Sequence, residues 1–255
     1  MATYKKRGYK PKTKVEQEEV EKDESTTAEV FSSLDEGANR TEEWVEKNQK
    51  NIFIIVGIVA VAVLAYLGYQ KFIQGPKELE ASNEMFQAQN YFNDAVNGAA
   101  AKDSLYTLSL NGGEGKYGFI DIIDNYGSTK AGNLAHYYAG MAYLNTKKYQ
   151  EAIDQLEDFE SDDEILAPLA KGAIGDAFMQ LDQPEEALGY YEDAAKLRDN
   201  KFTSPRFLLK ASITAIELGQ KDKAVKMLNR IKDQYGSSNE AKEVDLYLGM
   251  AQASN

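Results

Sequence analysis

The chain has 255 residues, 27% of them charged, a formal charge of −12, one histidine and no cysteine. Without a thiol there is no disulfide, no thiolate metal site and no cysteine nucleophile. The first fifty residues hold ten bases and twelve acids, which leaves −10 on the remainder, and so acidic a surface repels the phosphates of DNA and RNA.

Residues 1–40 form a charged tail. Its head holds Lys5, Lys6, Arg7, Lys10, Lys12 and Lys14 and no acid. The following stretch, KVEQEEVEKDESTTAEVFSSLDEGANR, is polar and acidic with few large apolar residues. Such a composition buries too little surface to offset chain entropy, so the tail reads as disordered. The basic head can touch anionic lipid or ribosomal RNA, or stay a solvated charge run. Residues 41–50, TEEWVEKNQK, read as a short helix that runs up to a membrane.

An uncharged run follows: Ile52, Phe53, Ile54, Ile55, Val56, Gly57, Ile58, Val59, Ala60, Val61, Ala62, Val63, Leu64, Ala65, Tyr66, Leu67, Gly68 and Tyr69. At about 1.5 Å per residue, these eighteen residues reach about 27 Å as a helix, close to a hydrocarbon core. A core helix seldom lacks a polar stripe over this length. A cleaved signal would begin earlier and end on a small-x-small site. The expectation is a transmembrane helix over 51–73, with Lys71 snorkelling and Tyr66, Tyr69 and Trp44 at the interfaces. Arg40, Lys47 and Lys50 flank one side and Lys71 and Lys77 the other. With the basic head added, the N-terminus is expected inside and the large domain outside.

Beyond the span the chain repeats itself. NYGSTKAGNLAHYYAGMAYL at 125–144 and QYGSSNEAKEVDLYLGMAQA at 234–253 share Tyr126, Gly127, Ser128, Tyr138, Gly140, Met141 and Ala142 with residues 109 positions later. Steps near 36 from Gly140 meet Gly175, Ser212 and Gly249, each inside an apolar helical pattern. Twelve residues after the first three stand Ala152, Ala187 and Ala224, each opening a second amphipathic stretch. Each unit is thus a helix, a turn and a helix. Pro184 and Pro205 suit first helical positions with Asp182 and Ser204 as caps, and Lys147, Lys148 and Gly219 lie in turns. Units sit near 133–160, 168–197 and 205–235, with a closing helix at 242–252. An earlier unit near 77–126 pairs KELEASNEMFQAQNYFNDAV with GFIDIIDNY across NGAAAKDSLYTLSLNGGEG, a loop-like insertion. No such unit buries its apolar face alone, so neighbours stack.

A small residue, an aromatic three later and an alanine twelve later resemble the tetratricopeptide pattern. Tyr143, Phe178 and Ile216 hold the plus-three place, and Leu156, Tyr191 and Leu228 the large apolar place. His136, Lys171 and Leu208 stand where the pattern has an early aromatic. The resemblance implies an all-α fold: one transmembrane helix, then an α-α superhelix over 74–255. Carried over by position, it implies a partner-binding concave face of Tyr137, Met141, Leu144, Asp176, Met179, Leu209, Ile213 and Glu217. The competing reading is that several of these pack against neighbouring helices.

Little in the chain points to catalysis. His136 lacks a second imidazole and a serine nucleophile nearby, so packing is its expected role. GGEGKYG around Lys116 has Leu110 where a phosphate loop needs its first glycine, and Tyr117 for Ser/Thr. The acids of DFESDDE lack the ligand order of a calcium loop. Ser104 in DSL matches a three-residue acceptor pattern for O-linked sugars, which chance also produces. No enzyme, cofactor or metal is expected.

The order of elements is similar to the YfgM-type ancillary subunits of the bacterial Sec translocon, although the long acidic tail departs from their short cytoplasmic segment. That resemblance implies a single-pass inner-membrane protein with a periplasmic repeat domain. The implied partners are the Sec channel, a membrane-anchored periplasmic prolyl-isomerase-type chaperone and emerging polypeptides. A second reading is an adaptor for another cell-envelope assembly or export complex.

Overall fold

The computed structural model describes residues 44–98 and 101–253; the expectations for the tail at 1–40 lie outside the described residues. The chain divides into two compact units, Met1–Tyr69 and Gln70–Asn255. The described residues are helices joined by turns and short irregular links, with one isolated bridge between Gly113 and Lys116.

In the first unit, residues 44–69 form helix α1. It belongs to a helix long and apolar enough to cross a membrane, and none of that apolar window is buried. Phe53, Ile55, Ile58, Val61 and Leu64 stand more than half exposed, as side chains that face lipid would.

The second unit opens on a π-helical turn, Gln70–Gln74, before α2, Gly75–Val96. Pro76 explains the turn: it has no N–H to donate back along the ladder, so the register slips there and resumes after it. Ala81, Met85, Ala88, Phe92 and Ala95 recur three and four apart and form the buried face of α2. The segment expected to be a loop-like insertion instead carries α3, Lys102–Asn111, which buries Tyr106 and Leu110 against α2. Its apolar positions are few and its flanks glycine-rich, so tertiary contact rather than pattern makes it a helix. Then come α4 (Phe119–Tyr126), α5 (Lys130–Asn145) and α6 (Tyr149–Glu157). The stack closes with α7 (Leu166–Gln180), α8 (Pro184–Lys196), α9 (Thr203–Glu217), α10 (Lys221–Gln234) and α11 (Val244–Ala253).

Pairing follows the repeat. Ala152, Ala187 and Ala224 are each fully buried. A Cβ on Gly140 would sit 2.4 Å from Leu156, and one on Gly175 would sit 2.7 Å from the Tyr191 ring. Small residues on first helices therefore admit large ones from second helices. A small residue does similar work between repeats: a Cβ on Gly172 of α7 would sit 1.9 Å from the Phe207 ring of α9.

The turns within units are equally regular. Lys147, Asp182 and Gly219 hold φ of 62°, 58° and 71°. The next N–H reaches back five residues each time: Lys148 to Tyr143 O at 2.9 Å, Gln183 to Phe178 O at 3.0 Å, Gln220 to Ala215 O at 2.7 Å. This is the Schellman stop, for which glycine is the strain-free residue. Asp182 thus occupies a left-handed turn position rather than capping α8, where Pro184 does stand in the first turn. Ser204 lies inside α9, and its hydroxyl accepts from Asn200 N. The true cap is Asn200, whose Oδ1 accepts from Phe202 N and Thr203 N, both at 2.8 Å. Asp163 does the same for α7, accepting from Ile165 N and Leu166 N at 2.8 Å, and these bonds hold its carboxyl below the usual range.

The start of α5 ties α2 to the repeats. Thr129 Oγ1 accepts from Gly132 N at 2.9 Å, while Glu78 of α2 accepts from Lys130 N at 2.8 Å and Ala131 N at 3.0 Å. A carboxylate at a helix N-terminus also suits the macrodipole. Gln74 Nε2 donates to Ser128 O and Lys77 Nζ to Ser128 Oγ beside it.

Candidate functional site

The face assigned to partners comes from α5, α7 and α9. Tyr137, Met141 and Leu144 are half-buried and pack on the core shared by α6 and α7. The Tyr137 ring lies 5.3 Å from that of Phe159 and 5.8 Å from that of Tyr138. Burial is the main cause that raises its phenol, Tyr138 adds to it, and Arg206 of α9 opposes it. Tyr137 thus feels a side chain from two first helices away.

Asp176 on α7 holds the centre. Tyr191 Oη donates to its Oδ1 at 2.6 Å, and Lys210 Nζ lies 2.5 Å from the same oxygen. Lys210 also stands 5.5 Å from the Tyr191 ring. About a third of each charged side chain stays exposed, so the pair is accessible from the surface. The Tyr191 phenol is raised, first by burial and then by the Asp176 charge, with Glu217 adding to it. Met179 and Ile213 are half-buried against the C-terminal core, and Thr214 Oγ1 approaches Met179 Sδ at 3.8 Å. Glu217 is exposed.

Leu209 is the correction. It is 8% exposed and part of the core formed by α8, α9, α10 and α11. Spacing put it on the same stripe as Tyr137, but α9 is buried over a wider arc because helices cover it on both sides. Lys210, Phe159 and Arg206 stand beside this strip without having been marked by spacing, and Leu246 is its positional equivalent on α11. Leu246 precedes Gly249 by three, the place Tyr137 and Leu209 hold before Gly140 and Ser212, and it is 63% exposed. A register that extended the face to the closing helix would have found it. Lys210 lies 34 residues after Asp176, and a one-repeat step would have found that pair.

A second concavity, about 500 Å³, opens between Phe159, Ile174, Tyr190 and Leu197. Tyr190 Oη donates to Glu157 at 2.6 Å, and Lys171 stands 5.7 Å from its ring. Burial and then that bond push its phenol up to about 12.

Of the residues flagged for other chemistry, His136, Asp162, Asp163 and Lys116 have structural partners. His136 Nδ1 lies 3.0 Å from Gln155 Oε1. Asp163 caps α7 and Asp162 pairs with Arg198. Lys116 closes the turn bridged to Gly113, and Ser104 is exposed in the first turn of α3.

Residues 134–162 and 207–238 match one tetratricopeptide-repeat model, and residues 170–201 match another. These segments therefore carry tetratricopeptide repeats, modules that bind other proteins. No curated protein gives a significant match. Among solved structures, a Podosopora anserina chain described as a kinesin light chain with nearly identical TPR-like repeats aligns at 14% identity. The alignment covers 67% of this chain and 85% of that one, with a TM-score of 0.49, too low to carry weight.

Proposed function

We propose that this chain is a membrane-anchored, non-catalytic scaffold of the bacterial Sec machinery. In this reading α1 crosses the inner membrane with the N-terminus in the cytoplasm, and the repeats in the periplasm hold partner proteins or emerging polypeptides. The partners are the Sec channel and a membrane-anchored prolyl-isomerase-type chaperone.

The observation that carries the reading is the joint presence of an unburied apolar helix and a repeat surface with partly open apolar side chains. Tyr137, Met141, Leu144, Met179 and Ile213 remain partly accessible, around a central Asp176–Lys210 pair. Such a strip suits a peptide-like or helical ligand whose own apolar groups complete the burial.

The test places a photocross-linking residue at Leu144 or Ile213 of the full chain in cells, alongside a detergent pull-down through the span. Adducts with the Sec channel, the chaperone or secreted polypeptides are the expected result. A pull-down free of translocon components sinks the Sec reading. Adducts confined to a different envelope complex establish the adaptor reading instead.

A further inference from the structure

In a chain of net charge −12, one cleft reverses the sign. It lies between α8, α9 and α10 and encloses about 220 Å³. Its floor is apolar: Leu208 is 3% exposed, and Met227 packs on the C-terminal core. Its rim holds Lys196, Lys223, Lys226 and Arg230 against one lining carboxylate, Glu192. That carboxylate is already engaged, 2.5 Å from Lys223 and 3.6 Å from Lys196. Arg230 reaches Asp199 at 2.9 Å, and Lys226 is exposed.

Lys196 and Lys223 share the single Glu192 and Arg230 is held by Asp199, so the four cations meet two carboxylates; the excess positive charge, with Lys226 at the rim, focuses a positive field on the opening. The volume falls below the roughly 300 Å³ at which small-molecule pockets begin, and it matches one large side chain. A lipid chain is too long for it, and a bare phosphate would leave the apolar floor unused. We propose that this cleft is a second docking site. It takes an acidic peptide segment of a partner protein that inserts one leucine- or phenylalanine-sized side chain between flanking carboxylates. The rim charges then govern encounter and salt dependence, and the floor governs residence. The site lies chiefly on second helices, so it stands or falls separately from the first-helix face.

The probe is a fluorescein-labelled acidic nonapeptide with one central leucine, titrated by anisotropy against the full chain in detergent. Saturable binding that weakens as salt rises is expected. Lys226→Glu is expected to weaken binding at least tenfold and Lys226→Gln severalfold, each with an unchanged melting curve because the side chain is exposed. Replacing the central leucine of the peptide by alanine is expected to weaken binding severalfold. Leu246→Ala, on the first-helix side, is expected to leave it unchanged. The proposal is overturned if the peptide does not bind, or if Lys226→Glu binds it as well as the parent. It is also overturned if the alanine peptide binds equally, or if only anionic vesicles bind in a Lys226-dependent way.

Discussion

Helices α5 and α11 are written in the same words and live in different surroundings. Gly140 of α5 is buried, and a Cβ there would meet Leu156 at 2.4 Å. Gly249 of α11 occupies the same place in the phrase and has nothing within 4 Å. Ala142 and Ala251 are both buried, at 0% and 4%, so the side facing the preceding helices is used in both copies. The difference lies on the side where a second helix packs: α6 covers α5 there, and among the described residues none follows α11. A repeated phrase therefore encodes a helix of one type, while the neighbour decides which of its residues carry stability.

The strongest way to break that comparison is the same substitution in both copies. Gly140→Ala drives a methyl into Leu156 and is expected to cost about 1–3 kcal/mol by overpacking. Gly249→Ala meets open space in a helix interior and is expected to gain about 0.5–1 kcal/mol from propensity. Urea unfolding of the two variants decides it, and equal effects would mean that the two helices share one environment.

The tyrosines that end the second-type helices sharpen it. Tyr235 donates to Asp199, whose carboxyl Arg230 also holds. The bond from Tyr235 is the main cause that keeps Asp199 below its ordinary 3.8, with Arg230 helping against a burial penalty. A depressed carboxylate contributes stability that is complete above its unfolded pKa and drains as pH falls through the folded one. Tyr235→Phe is expected to cost about 0.5–1.5 kcal/mol near neutrality, and the loss shrinks below pH ~4 as Asp199 protonates. Chemical denaturation across pH 2–7 measures it, and a loss that grows towards acid would reverse the assigned sign.

The turns give the smallest effect. Lys147 and Asp182 adopt the left-handed conformation that Gly219 adopts without strain. Lys147→Gly and Asp182→Gly are each expected to be neutral or to gain up to about 1 kcal/mol, and Gly219→Ala to lose about 1 kcal/mol. Thermal melts of the three variants compare the turns directly; a loss in the first two would show that the side chains, not the backbone, stabilise those turns.

Most of the repeat architecture was legible because small residues, alanines and turn positions recur at a common step. Most of what was illegible depends on neighbours distant in sequence. Helix α3 has glycine-rich flanks and little periodicity, so it read as a loop until Tyr106 and Leu110 met α2. Asn200 caps α9 from upstream of the first turn, so a search beside Pro205 settles on Ser204, and Asp163, which caps α7, reads only as part of an acidic run. Leu209 sits on the predicted stripe but is closed off by helices on both sides. The Asp176–Lys210 pair and the basic cleft each join residues about one repeat apart or more, beyond the reach of a local pattern.

The sequence by itself determined the helical periodicity, the 35–37-residue step and the uncharged run from Ile52 to Tyr69, because each depends only on residue order along one chain. The tertiary structure decided which first-helix side chains stay open, which carboxylates are already paired and where four bases gather around Leu208 and Met227. Burial and charge at those places are sums over neighbours distant in sequence, and those neighbours come together only when the helices stack.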